Sequence, residues 1–232
     1  MKLGIMQPYF FPYLGYWQLI AAVDKFIILD DVNFIKQGWI NRNNILVQNQ
    51  AKPINLIVSS ASSFVEIREL KVNEKKWQKK LLTTIEFNYK KAPYFKEVYP
   101  LLETLINHSE TNLSKYLVDN IKGIAQYLNI NTQIIETSSI YPKNELKGQD
   151  RIIDICNRES AKTYINAING KDLYQSETFK KQGVDLNFIQ MNEIRYKQFN
   201  ADFVPYLSII DVLMFNSVEE VRLMLKQYDL TS

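Results

Sequence analysis

Apolar and polar positions change period several times along this chain. Residues 2–6 form a short apolar run ahead of Pro8, the pattern of a buried strand. After a loop over residues 7–14, residues 16–23 read as a two-turn helix, and residues 26–29 as a second, β-branched strand closed by Asp30 and Asp31. Strand, tight loop, helix and strand within about thirty residues predict a βαβ unit with parallel strands. Residues 45–48 and 53–58 flank the polar stretch Asn49-Gln50-Ala51-Lys52, which predicts a hairpin.

Three helices are expected next: one capped at Asn73 and running to about Tyr89, one opening at Pro93, and one after Asn112. In the last, Leu113, Tyr116, Leu117, Ile121, Ile124 and Leu128 recur at helical spacing. The lysine-rich stretch 74–91 reads as a solvated helix face. Alternation then resumes, with strands at 132–136, 163–166 and 184–190 and helices at 149–158 and 176–182, the latter stopped by Gly183. A capping box at Ser217-Val218-Glu219-Glu220 makes the C-terminus helical. No repeat or linker interrupts the pattern. The expected fold is a single α/β domain over residues 1–232, Rossmann-like, with a mostly parallel sheet, helices on both faces and a helical insertion near 73–129.

Composition narrows the function. Of 232 residues, 28 are basic and 25 acidic, and the net charge of +3 is too small to call for nucleic acid. One cysteine, Cys156, excludes a disulfide framework, and one histidine, His108, excludes histidine-based metal cages, so no metal site is expected. Cys156 lies among isoleucines and reads as core; His108 ends a helix and reads as structural. No apolar run is long enough for a membrane span and the N-terminus fails as a signal peptide, so a cytoplasmic protein is expected. The P-loop and dinucleotide glycine fingerprints are absent.

The unusual feature is aromatic content, with 14 Tyr, 12 Phe and 3 Trp against only 7 Gly. It concentrates in Gln7-Pro8-Tyr9-Phe10-Phe11-Pro12-Tyr13-Leu14-Gly15-Tyr16. Two prolines four apart stiffen this loop, and it follows the first strand, where open α/β sheets bind ligands. Gln7, Tyr9, Tyr13 and Tyr16 offer polar groups and ring faces suited to a sugar or base. Gly15 would let a ligand approach free N–H groups at the helix start. Asp30 and Asp31 end the second strand, and at most one can face a given cleft; either could accept a proton from an amine. In Lys36-Gln37-Gly38-Trp39-Ile40-Asn41-Arg42-Asn43, Trp39 can stack on a sugar, Arg42 can grip a phosphate, and Asn41 and Asn43 can read hydroxyls. Arg151 at a helix start and Tyr164 and Asn166 on a late strand are weaker candidates. Ser208 and Asp211, three apart on an apolar helix, are explained as well by local capping.

These motifs, with Lys90-Lys91-Ala92-Pro93-Tyr94-Phe95, Arg151-Ile152-Ile153-Asp154-Ile155-Cys156, Thr163-Tyr164-Ile165-Asn166 and Ser208-Ile209-Ile210-Asp211-Val212-Leu213, strongly resemble the WbqC-like family of bacterial proteins. Asn169-Gly170 departs from an expected Gly-Gly, which weakens a phosphate-cradle reading of that loop. The resemblance implies a role in O-antigen, lipopolysaccharide or related surface-glycan biosynthesis. It points to a transferase or ligase attaching an acyl or aminoacyl group, such as glycine, to the amine of a nucleotide-linked amino sugar. The donor would be activated by ATP with Mg²⁺ or arrive as a thioester on an acyl carrier protein. Asp30, Asp31 and Asn41 are then the candidate catalytic residues, and the other named positions bind substrate. Tyr13-Leu14-Gly15-Tyr16 also holds the place of the phosphate-binding His-x-Gly-His motif of nucleotidyltransferase-type folds, without its imidazoles. The rival expectation is a non-catalytic partner in a glycan-assembly complex, anchored through the aromatic loop.

Overall fold

The computed structural model describes residues 1–73, 76–200 and 202–232. It opens with β1 (Lys2–Met6), α1 (Leu14–Ala22) and β2 (Lys25–Ile28). A long excursion follows: the hairpin β3 (Arg42–Val47) and β4 (Gln50–Asn55), the small pair β5 (Val58–Ser59) and β6 (Lys71–Val72), and helices α2 (Lys76–Tyr89), α3 (Phe95–Asn107) and α4 (Leu113–Tyr127). Alternation returns with β7 (Gln133–Ile135), α5 (Gly148–Arg158), β8 (Thr163–Ala167), α6 (Ser176–Lys181) and β9 (Asp185–Met191). Helices α7 (Ile209–Phe215) and α8 (Val218–Met224) and strand β10 (Tyr228–Thr231) complete the chain.

Six strands form the main sheet in the order β7-β2-β1-β8-β9-β10. All neighbours are parallel except β9 and β10. The chain therefore winds outward from β1 one way through β2 and β7, then returns to β8 on the other side of β1. Between β1 and β8 the direction reverses, and the loops after these strands diverge to leave a crevice.

The pleat sorts the core into two layers. Leu3, Ile5, Ile27, Tyr164, Leu186 and Phe188 meet Ile152, Ile155 and Cys156 of α5 and Phe179 of α6. Their strand neighbours Phe26, Ile28, Ile165 and Ile189 belong to the larger cluster with α1, the inserted helices, α7 and α8. Alternate residues thus feed opposite faces, and both faces are covered, as parallel strands require.

Two local expectations are corrected. The hairpin turns at Gln48 and Asn49, both with positive φ, rather than over 49–52. A two-residue turn in the left-handed region matches the twist of the flanking strands. The C-terminus, beyond the capping box that Ser217 and Glu220 do form, ends in a strand that pairs antiparallel with β9. Of the lysine-rich stretch, Glu74 and Lys75 lie outside the described residues, as does Ala201. No described helix is long and apolar enough to cross a membrane.

Candidate functional site

A cavity of about 660 Å³ opens at the carboxyl ends of β1 and β8, the point where the sheet order reverses. Its wall is made by Met6 at the end of β1 and Gln7, Tyr9 and Tyr13 from the loop after it, by Trp39 ahead of the hairpin and Asn43 and Asn44 in β3, and by Asn166 near the end of β8 and Asn169, Gly170 and Tyr174 from the segment after it. Pro205 and Tyr206 close it from the loop after β9.

The loop after β1 is held by hydrogen bonds to the carbonyls of Gln7, Phe10, Phe11 and Pro12. Tyr16 donates its hydroxyl to the Gln7 carbonyl at 2.9 Å. Asn43 donates to the Phe10 and Phe11 carbonyls at 3.2 and 2.7 Å, and Ser208 donates to Phe11 at 2.7 Å. The indole of Trp17 and the backbone N–H of Ile209 both reach the Pro12 carbonyl, each at 3.0 Å. Buried backbone left unpaired would oppose this path, and the positive φ of Phe11 adds local strain. Tyr16, Asn43 and Ser208 therefore hold the loop that presents Tyr9 and Tyr13.

Gly15 acts on the site indirectly. A Cβ there would stand 2.6 Å from the Tyr13 ring, so the glycine lets Tyr13 lie back over α1, in space that a ligand would otherwise need to approach the helix N–H groups. Gly170 does the same for Asn166, whose amide nitrogen would be 2.9 Å from a Cβ. Asn166 in turn accepts from the Ala167 N–H at 2.7 Å.

Gln7, Tyr9, Tyr13, Trp39, Asn43 and Asn166 are thus brought together; the other sequence candidates are not among the lining residues. Tyr16 is buried with its hydroxyl spent on Gln7. Tyr164 is buried, its ring stacked on Phe179 and edge-on to Tyr174. Asn41 donates its amide to the Leu56 carbonyl at 3.0 Å. Arg42 places its guanidinium 5.6 Å from the centre of the Trp39 ring, and its Nε is buried without a partner.

Asp30, Asp31 and Arg151 form a separate buried cluster. Asp30 accepts from Ser114 and Thr137, both at 2.7 Å, and from the Ser138 N–H at 3.2 Å. Asp31 accepts from Ser138 and pairs with Arg151 at 3.2 Å, with the Lys143 ammonium 3.9 Å away. The Arg151 guanidinium also donates to the carbonyls of Pro142, Ser138 and Tyr141. These contacts tie the end of β2 to the loop after β7 and the start of α5, although the Arg151 Nε is buried without a partner. Among the described residues, no group of three or more His, Cys, Asp or Glu is arranged to hold a metal ion.

Among the described residues, none that lines the cavity is charged. Its titratable groups are tyrosines. Burial raises the hydroxyl pKa of Tyr9, Tyr13 and Tyr174 above the usual phenol value, so at neutral pH they are uncharged hydrogen-bonding groups. Pro205, Tyr206, Asn44 and Tyr174 are lining residues that sequence reading missed. Only Asn44 left a local signal there, beside Asn43 in a polar cluster.

The family model for WbqC-like proteins matches residues 7–223, a span that contains every lining residue but Ile5 and Met6. The chain belongs to the WbqC-like protein family. An uncharacterized protein of Mycobacterium tuberculosis (strain ATCC 25618 / H37Rv) is 30% identical to it over 218 residues, covering 93% of each chain. No solved structure matches the chain significantly. In this WbqC-like chain, the matched region contains both the cavity and the buried Asp31–Arg151 pair.

Proposed function

We propose that this protein is a transferase or ligase of bacterial surface-glycan biosynthesis that attaches an acyl or aminoacyl group, such as glycine, to the amine of a nucleotide-linked amino sugar. The observation that carries the reading is the cavity at the sheet's switch point, walled by tyrosines, a tryptophan and carboxamides. Rings of this kind cover the apolar faces of a sugar or base, and amides match its hydroxyls. Trp39 and Tyr9 are assigned to stacking, and Gln7 and Asn166 to hydroxyl recognition. Arg42, whose buried Nε has no partner, is assigned to the pyrophosphate.

The sugar nitrogen forms a bond to the acyl carbon. The bond to the donor's leaving group, a phosphate-type oxygen from ATP with Mg²⁺ or the thiol of a carrier protein, breaks and its electron pair departs with that group. The nitrogen's proton passes to solvent water or, with a thioester donor, to the departing thiolate. Asp30 and Asp31 lie outside the cavity wall, so their part in this scheme is to hold its frame, and catalysis rests on positioning.

A thermal-shift panel with dTDP- and UDP-linked 4-amino sugars and their unmodified parents tests the reading. Saturation should raise the melting temperature by about 5–10 °C for the amino sugar and less for its parent. Mass spectrometry with glycine, ATP and Mg²⁺ should then detect the amide. No shift with any nucleotide sugar would overturn the reading.

One observation favours a second reading, a non-catalytic partner in a glycan-assembly complex. Ile35, Trp39, Leu173 and Tyr206 rim the cavity while being 53%, 47%, 70% and 71% exposed. That reading predicts a stable hetero-complex and no turnover.

A further inference from the structure

We infer that the cavity admits only the uncharged form of the group it binds: the sugar's amine enters as the free base, and a ring bearing a carboxylate is refused. This rests on the cavity being the sugar site and adds the protonation state and chemical class of what enters it.

The wall provides donors and acceptors but no compensating charge. Among the described residues, half-buried Gln7 and Asn44 and exposed Asn169 bring side-chain amides to the cavity wall. Each amide presents both a donor and an acceptor, the set that matches neutral hydroxyl and amide groups. Charges next to the wall in sequence are directed elsewhere. Asp30 follows Leu29 but is engaged by Ser114, Thr137 and Ser138. Lys171 follows Gly170 but donates to the Ser232 carbonyl at 3.1 Å, and Arg42 precedes Asn43 but lies over Trp39 outside the wall, where its free N–H is already assigned to the pyrophosphate. Lys36, beside Ile35, and Asp172, beside Leu173, are exposed and do not line the wall.

An ammonium entering this space loses water without gaining a carboxylate, and a carboxylate enters without gaining a cation. Aromatic faces attract cations, but the guanidinium of Arg42 already occupies one face of Trp39, and the tyrosines also carry hydroxyls that bind neutral groups. The free amine, by contrast, can accept from an amide N–H and donate to an amide carbonyl. It is also the form whose nitrogen lone pair is available to attack an acyl carbon.

Calorimetric titration of the full chain with four dTDP-linked sugars tests this: a 4-amino sugar, its N-acetyl derivative, the parent with a hydroxyl, and a 6-carboxylate analogue. Below the amine's own pKa, the dissociation constant of the amino sugar should rise about tenfold per pH unit, following the loss of its neutral form. The N-acetyl sugar and the parent should show no such slope, and the 6-carboxylate should bind at least about tenfold more weakly than the parent. Asn44→Asp, or Gln7→Glu should the first variant not fold, should flatten or reverse the amine's slope by supplying the missing carboxylate. Amino-sugar affinity that rises as pH falls, or a 6-carboxylate that binds as well as the parent, would overturn the inference while leaving the sugar site intact. Failure of all four ligands to bind would overturn the site reading and this inference with it.

Discussion

Asp211 accepts a hydrogen bond from the Tyr196 hydroxyl at 2.6 Å and so ties the loop after β9 to the helix that follows it. The same buried carboxylate accepts from Tyr89 and from Gln198, each at 2.8 Å, and Gln198 in turn holds Val204 through two bonds. Next to Val204 come Pro205 and Tyr206, which form one wall of the cavity. Burial outweighs the three donors and raises the Asp211 carboxyl above its ordinary pKa. A raised folded-state pKa means the folded chain takes up this proton more readily than the unfolded one. The contribution is full below the unfolded pKa and is lost as pH rises through the folded value. Relative to Asp211→Asn, the natural chain should therefore lose stability as pH rises above about 4, the ordinary carboxyl value, until the raised folded-state pKa is passed. Denaturant unfolding at a series of pH values checks the sign. Asp211→Ala should cost about 1–3 kcal/mol for each donor left without an acceptor.

Gly15→Ala should damage binding more than folding. Its Cβ would stand 2.6 Å from the Tyr13 ring, so the tyrosine must leave its place in the cavity wall. Within α1 the alanine gains helix propensity of about 1 kcal/mol, which offsets part of the disturbance. The expected outcome is a melting temperature within about 4 °C of the natural chain and a nucleotide-sugar affinity at least about tenfold lower. An unchanged affinity would remove Tyr13 from the binding wall.

Arg151→Met tests whether the cluster at the end of β2 is structural. The change removes the 3.2 Å partner of Asp31 and the donor to three carbonyls. Breaking a buried pair from one side costs about 3–5 kcal/mol, which lowers the melting temperature by about 10 °C. Adding Asp31→Asn should return part of that loss, because no uncompensated carboxylate remains. A double variant no better than the single would show that the carbonyl contacts, rather than the ion pair, carry the cost.

The βαβ opening was legible because apolar runs and two prolines mark it locally, and α4 because six apolar residues repeat at helical spacing up to its Asn112 cap. Strand order was not legible, since which strand lies beside β1 is decided by pairing across the whole chain. Gln7, Tyr9, Tyr13, Trp39, Asn43 and Asn166 were visible as polar or aromatic residues at or beside strand ends. Pro205 and Tyr206 were not, because long-range bonds place them at the cavity: those of Gln198 to Asp211 and Val204 on one side, and those of Ser208 and Ile209 to Asn44, Phe11 and Pro12 on the other. Asp30 and Asp31 read as chemistry by residue type alone. Their partners Ser114 and Ser138 lie 84 and 108 residues from Asp30, and only the fold reveals that these carboxylates are already occupied. Strand β10 was hidden by the strong capping box just ahead of it.

Arg42→Met separates packing from charge at the edge of the site. The natural side chain covers Trp39, its guanidinium 5.6 Å from the ring centre, and its Nε is buried without an acceptor. A buried N–H without an acceptor is uncommon, and a ligand phosphate would provide one. Methionine keeps the long stem over the tryptophan and removes only the charged fork. Stability without ligand should therefore change by less than about 1 kcal/mol. Affinity for a nucleotide sugar should fall about 10- to 100-fold, the scale of one lost charge-assisted bond. Affinity for the corresponding nucleoside, which has no phosphate, should not change. Raising the salt concentration should weaken nucleotide-sugar binding by the natural chain more than by the variant, because only the former pairs opposite charges. Equal losses for the nucleotide sugar and the nucleoside would instead assign Arg42 to holding Trp39 in place.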